Sequence, residues 1–260
     1  MQVIINPLQI GCDRTMMEIN GWSICVLCCV FANLAFWFAS LVNLAVDHLA
    51  KNDGPMQTKK LQPKQHLSSR ELVDVFLLSA FNMVVVAPYM CCPLFELLWD
   101  YLHPDQRLSV SSPFEWKREL AILPFNMLVN EVTFYGAHYA LHQPFLYRTI
   151  HKVHHRFHAP TAMAAAYAHP LEFIFGNVLC IGLGPILSNA HPYAAFAWFS
   201  AAMLSTCKGH SGYNVLNAAT HDAHHQYTTY NYGVLHLGDY CMGRGLPDPL
   251  KRRNTTQKRV

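Results

Sequence analysis

Residues 21–46 read GWSICVLCCVFANLAFWFASLVNLAV, 26 positions without an Asp, Glu, Lys or Arg. A helix needs about 20 apolar residues to cross a hydrocarbon core, so this run predicts a membrane span. Val75–Phe95 is a second uncharged run, and Leu120–Ala137 is a third apolar segment, interrupted only by Glu131. Phe173–Cys207 is uncharged for 35 residues, but Asn189, His191 and Pro192 break it, which predicts two helices in a hairpin. Composition agrees: 52% of the chain is hydrophobic and 13% charged, against a usual charged fraction of roughly a quarter. The predicted fold class is all-α, a polytopic membrane helical bundle. Its regions are 1–118, holding N-terminal spans and a basic loop; 119–245, holding the histidines discussed below; and 246–260, a basic tail.

Charge placement predicts an orientation. With the first span running from lumen to cytosol, 15 Lys and Arg residues fall on the cytosolic side, among them Lys59, Lys60, Lys64, Arg148, Lys152, Arg156 and Lys208. Only Arg14, Arg107, Lys117 and Arg118 are then luminal, an asymmetry of the positive-inside kind. That topology and contact with anionic headgroups account for the net charge of +3, so no nucleic-acid partner is expected. Asp13, Arg14 and Glu18 ahead of the first run argue for a retained span and against a cleaved leader. Glycosylation at the Asn254-Thr-Thr256 sequon would place the tail in the lumen and reverse this orientation. Cys25, Cys28, Cys29, Cys91, Cys92 and Cys180 lie inside apolar runs, with no zinc-ribbon spacing, and read as free packing thiols.

Histidine supplies the chemistry. The chain holds 16, grouped as His138-Tyr-Ala-Leu-His142, His151-Lys-Val-His154-His155 and His221-Asp-Ala-His224-His225. Chance alone would give roughly 0.06 copies of HxxHH in such a chain, so two copies are a signal. On a helix, positions i, i+3 and i+4 share a face, and each cluster is expected to aim its imidazoles one way. Imidazole suits zinc, copper, iron and nickel alike. Eight such ligands exceed the needs of one ion, and two metals with three or four ligands each and open positions are the natural division. The carboxylate-bridged Glu-x-x-His pattern and the zinc-protease HExxH are both absent from the sequence. A site whose ligands are all histidines, with Asp222 the one acid inside the boxes, argues for oxygen chemistry at a redox metal over hydrolysis. The first cluster begins where the third apolar segment ends, placing the metals at the membrane face within reach of a lipid.

The order HxxxH, HxxHH, HxxHH resembles the fatty acid hydroxylase and sterol desaturase superfamily. The stretches Tyr147-Arg-Thr-Ile-His-Lys-Val-His-His155, Ala159-Pro160, Tyr167-Ala-His-Pro-Leu-Glu172 and Gly209-His-Ser-Gly-Tyr213 look most like the C-4 methylsterol oxidase branch. The likeness is strong from about residue 120 to 245. It implies a non-haem di-iron oxygenase of the endoplasmic reticulum membrane, with histidine clusters and C-terminus cytosolic, that hydroxylates an unactivated C–H bond of a lipid with O2. The best candidate substrate is a sterol C-4 methyl group. Carried over, His138, His142, His151, His154, His155, His221, His224 and His225 are the implied iron ligands and catalytic residues. His169 and His210 occupy positions that look like further ligands or their supports. Zinc can substitute for iron on such donors. The resemblance further implies electrons from cytochrome b5 and its NAD(P)H-dependent reductase. In agreement, Gly182-Leu-Gly184 sits in an apolar run and fails as a dinucleotide fingerprint.

Three further expectations rest on residues around the boxes. Glu131, two helical turns before His138, is a candidate support for the metal site. Lys152, Arg156 and Lys208 offer a basic face to an acidic electron carrier. Tyr135, Tyr167, Tyr213 and Tyr227 read as an interfacial belt or as groups that orient a substrate hydroxyl. Alternative functions are a fatty acyl or sphingolipid hydroxylase, a desaturase on the same metal site, and an inactive protein that keeps metal and binds lipid.

Overall fold

The structure is a computed structural model that describes residues 21–50, 56–106, 109–214 and 219–245. Arg14, Lys51, Arg107 and the basic tail with its Asn254 sequon lie outside the described residues. The elements are α1 (Gly21–Ala50), α2 (Ser69–Leu102), α3 (Trp116–Leu141), α4 (Pro170–Leu187), α5 (Pro192–Gly209), α6 (Ala219–Tyr227) and α7 (Leu237–Cys241), with short helical turns between residues 144 and 166. Extended pairing among the described residues is an isolated antiparallel bridge between Lys60 and Tyr213.

Among the described residues three helices are long and apolar enough to cross a membrane: α1, α2 and α4, of 30, 34 and 18 residues. The second predicted run lengthens at both ends. Ser68 opens α2 with a capping box in which its Oγ accepts from Glu71 N while Glu71 Oε2 accepts from Ser68 N, satisfying two backbone donors that helix starts leave open. Pro88 lies inside α2, where the coil widens to π geometry over Asn82–Cys91, which absorbs the missing N–H and the clash of the ring with the preceding turn. The third predicted segment is helical from Trp116 to Leu141 but is not among these three; Asn126, Asn130 and Glu131 lower its hydropathy. The predicted hairpin forms: Asn189 takes φ 51° between α4 and α5. His191 then caps α5 by accepting from Tyr193 N, with Pro192 in the first turn, where proline's fixed φ suits a helix start.

α1 lies along α5, α3 along α4, and α2 closes against α1. Between them runs a largely non-α segment, Ala162–Ala168, buried throughout. Backbone of this kind is tolerated at membrane depth only when protein satisfies its polar groups, and three span residues do so. Asn43 Oδ1 accepts from Thr161 Oγ1 and Ala162 N at 2.8 and 2.9 Å. Ser79 Oγ donates to Met163 O at 2.9 Å, and Asn82 Nδ2 donates to Ala166 O and Ala168 O at 2.9 and 2.8 Å. Around this seam Phe36, Val75, Met83, Val86, Phe173 and Met203 form the core. The described cysteines are free, as expected, with Cys29 Sγ 3.6 Å from Cys92 Sγ across the α1–α2 contact.

Candidate metal centre

The last turn of α3 supplies His138 and His142, the turns after it His151, His154 and His155, the end of α5 His210, and α6 His221, His224 and His225. These nine converge into two groups, each with its donor atoms within 4.8 Å of one another. The first holds His138, His142, His151, His155 and His224; the second holds His154, His210, His221 and His225. They adjoin, the His155 and His225 rings standing 4.7 Å apart.

The expectation that each cluster aims one way is corrected. Each HxxHH straddles both groups. His151 and His155 enter the first and His154 the second, while His221 and His225 enter the second and His224 the first. For the second box, on α6, the reason is angular: at 3.6 residues per turn, i+4 lies about 40° from i, and i+3 about 60° to the other side. The i, i+4 pair therefore faces one centre and the i+3 residue the other. The first box reaches the same split through a π turn ending at His151 and a 3-10 turn over His154–Arg156.

The tautomers explain why nitrogens converge. His138 Nδ1 donates to Tyr232 O, His154 Nδ1 to Tyr167 O, His210 Nδ1 to Thr206 O and His224 Nδ1 to Tyr230 O, at 2.6–3.1 Å. His151 Nδ1 meets the Glu172 carboxylate at 2.9 Å. With the proton on Nδ1, a neutral ring presents a bare lone pair on Nε2. In the first group the Nε2 atoms of His142, His151, His155 and His224 stand 3.0–3.2 Å apart around a ring. In the second, His210 Nε2 stands 3.3 Å from His154 Nε2 and 3.0 Å from His221 Nε2. Lone pairs at this spacing cannot all satisfy one another, and both nitrogens of His225 are buried without a partner.

This donor set fits metal ions: burial and crowding favour neutral imidazole, the form that coordinates. Burial pushes His154 down to about 4 and His210 to about 3, with neighbouring imidazoles adding to the shift in His210. It likewise holds His221, His224 and His225 well below the usual imidazole range. Five imidazoles in the first group exceed the four of a tetrahedral structural zinc site. They also exceed the three or four per metal expected from the sequence.

His169 lies outside both groups: it caps α4, its Nδ1 accepting from Leu171 N at 3.2 Å. His210 lies within the second. Glu131, 2% exposed, touches no histidine of the groups. Its carboxylate accepts from Leu235 N, Leu237 N and Gly238 N, holding the loop whose Tyr232 carbonyl orients His138. Arg156, expected on a basic face, stays 45% exposed at its side chain while paired with Asp74 and the Tyr167 hydroxyl, each at 2.8 Å. Sequence reasoning missed Glu172, although its signal was present: it is the last charged residue before the uncharged run that begins at Phe173. It also missed Asp239, fully buried, which accepts from Tyr232 N and Gly233 N at 2.8 Å.

Residues 123–244 match the fatty acid hydroxylase family. Fatty acid hydroxylase ahd1 of Mycosarcoma maydis is 42% identical over 116 residues, covering 44% of this chain and 30% of that protein. Fatty acid hydroxylase domain-containing protein 2 of Homo sapiens is 32% identical over 218 residues, covering 81% of this chain and 63% of that protein. Methylsterol monooxygenase 2-2 of Arabidopsis thaliana is 28% identical over 189 residues, covering 68% of each. The chain thus spans less than two thirds of the first two relatives. No solved structure matches it.

Proposed function

Given that residues 123–244 belong to the fatty acid hydroxylase family, we propose that this chain is an oxygen-dependent lipid hydroxylase with two iron ions, one held by each histidine group. The observation that carries this reading is the convergence of nine buried or half-buried imidazoles into two adjoining groups. When bound, a pair of redox-active ions supplies the activation of O2 that an unactivated C–H bond requires. The balance is R–H, O2, two electrons and two protons giving R–OH and water.

The protein's own part is positional. Backbone carbonyls of Tyr167, Thr206, Tyr230 and Tyr232 fix ring orientation and tautomer, and the Glu172 carboxylate does so for His151; such outer partners raise ligand basicity and hold geometry. Near-complete burial of His151, His224 and His225 keeps bulk water from the reacting centre. Electrons are supplied by cytochrome b5 and its NAD(P)H-dependent reductase from the cytosolic side of the endoplasmic reticulum membrane. A sterol C-4 methyl group is the first candidate substrate, supported by the likeness to Methylsterol monooxygenase 2-2. A fatty acyl chain is the second, favoured by the higher identity to Fatty acid hydroxylase ahd1.

The deciding experiment is a sterol and fatty-acid profile of cells with and without the protein, beside a His154→Ala control. Clearance of 4-methylsterols by wild type alone supports the sterol reading. A hydroxylated acyl product dependent on His154 moves the substrate to fatty acyl lipids, a desaturated one changes the outcome of the reaction, and no change in either pool overturns both substrate assignments.

A further inference from the structure

We propose that residues 233–242 form a re-entrant strap seated among the acyl chains of the bilayer leaflet at the histidine end of the helices. The path of the strap can be read against α3. Tyr232, where it begins, meets His138. Leu235, Leu237 and Gly238 then bond Glu131, seven residues and about 10 Å further into the apolar stretch of α3. Gly238 returns level with Tyr135, packed so closely that a Cβ there would overlap the ring. Arg244, past its end, reaches the Tyr139 ring, its guanidinium carbon 5.1 Å from the centroid. The chain thus descends from the level of residue 138 to that of 131 and climbs back to 139.

Its polarity is inverted with respect to a water-exposed loop. Between Tyr232 and Arg244 the only charged residue is Asp239, and it is fully buried, as Glu131 is nearly so. These two carboxylates face inward and take the N–H groups of Tyr232, Gly233, Leu235, Leu237 and Gly238. Arg244 N to Asp239 O and Asn231 N to Arg244 O close the base. Both ring nitrogens of His236 are engaged as well, with Asp239 and Thr220. What faces outward is apolar: Leu235, Leu237, Tyr240 and Met242 are 40%, 50%, 88% and 61% exposed. Internal satisfaction of irregular backbone beneath an apolar exterior is the arrangement hydrocarbon demands. The neighbouring face of α3 is of the same kind, with Leu128 and Val132 exposed. The occupant is bilayer lipid, a contact that does not depend on which reaction the histidines support.

The test uses the full chain in phosphatidylcholine vesicles, spin-labelled at Leu237→Cys or Tyr240→Cys in a Cys12→Ser, Cys241→Ser background. Collisions of the label with O2, which partitions into lipid, are compared with those of a water-soluble nickel chelate. Leu34→Cys on α1 is the lipid control and Lys64→Cys the aqueous one. Oxygen collisions exceeding chelate collisions several-fold at both strap positions, as at Leu34→Cys, is the expected result. Chelate access like that at Lys64→Cys overturns the proposal while leaving the hydroxylase reading in place. Poor access to both reagents overturns it too, since protein then covers the strap. A lipid-exposed strap in a protein that yields no hydroxylated product removes the hydroxylase reading alone.

Discussion

Glu172 Oε1 and His151 Nδ1 meet at 2.9 Å with side chains only 3% and 1% exposed. A carboxylate so placed orients its imidazole and raises its basicity toward a metal. Glu172→Gln keeps an acceptor but removes the charge; metal affinity at the first group falls about 10- to 100-fold, while the second group retains its ion. Metal content per chain after dialysis against a graded chelator reads the difference.

The partition of the boxes predicts paired losses. His155→Ala, in the first group, and His210→Ala, in the second, each lower bound metal by about one ion per chain, whereas His169→Ala leaves it unchanged. His169→Ala costs at most about 1 kcal/mol through the lost cap. Elemental analysis of the three purified variants checks this, and a loss of metal in His169→Ala would place that residue among the ligands.

Asn82 is a second point of leverage. Asn82→Leu orphans the carbonyls of Ala166 and Ala168, which cross the core on either side of Tyr167, whose own carbonyl orients His154. Each lost hydrogen bond between membrane helices costs about 0.6–2 kcal/mol. The variant therefore unfolds at lower temperature in detergent and holds the metal of the second group more weakly than that of the first.

Removing metal should itself destabilise the fold. The Nε2 lone pairs gathered at 3.0–3.3 Å face one another unshielded without a cation. Adding back ferrous iron at about 100 times its dissociation constant contributes roughly 2.7 kcal/mol per site. Thermal unfolding of chelator-treated and reconstituted protein gives the comparison, and equal midpoints would remove the case for resident metal.

Much of this site was legible in sequence because ligand chemistry restricts residue type and helix geometry restricts spacing, so the three boxes stood out. The helical class was legible from the uncharged runs. Three features were not. The division of the first box between two centres depends on local turns, since His151 ends a π turn and His154–Arg156 is a 3-10 turn. His169 stands in a motif that resembles a ligand position, but the Pro170 after it starts a helix, and its imidazole serves that start. Glu131 was marked as unusual in an apolar segment, yet its partners lie 104–107 residues further along the chain, a distance no periodicity reports.

The seam through Ala162–Ala168 also bears on synthesis. Asn43 belongs to the first span and Thr161 lies 118 residues later. At about 5–20 residues per second the ribosome delivers that partner roughly 6–24 s afterwards. Ser79 and Asn82, made within that interval, wait in turn for partners 84 residues further on. The early spans must be held as an open cradle, and the last third of the nascent chain closes it.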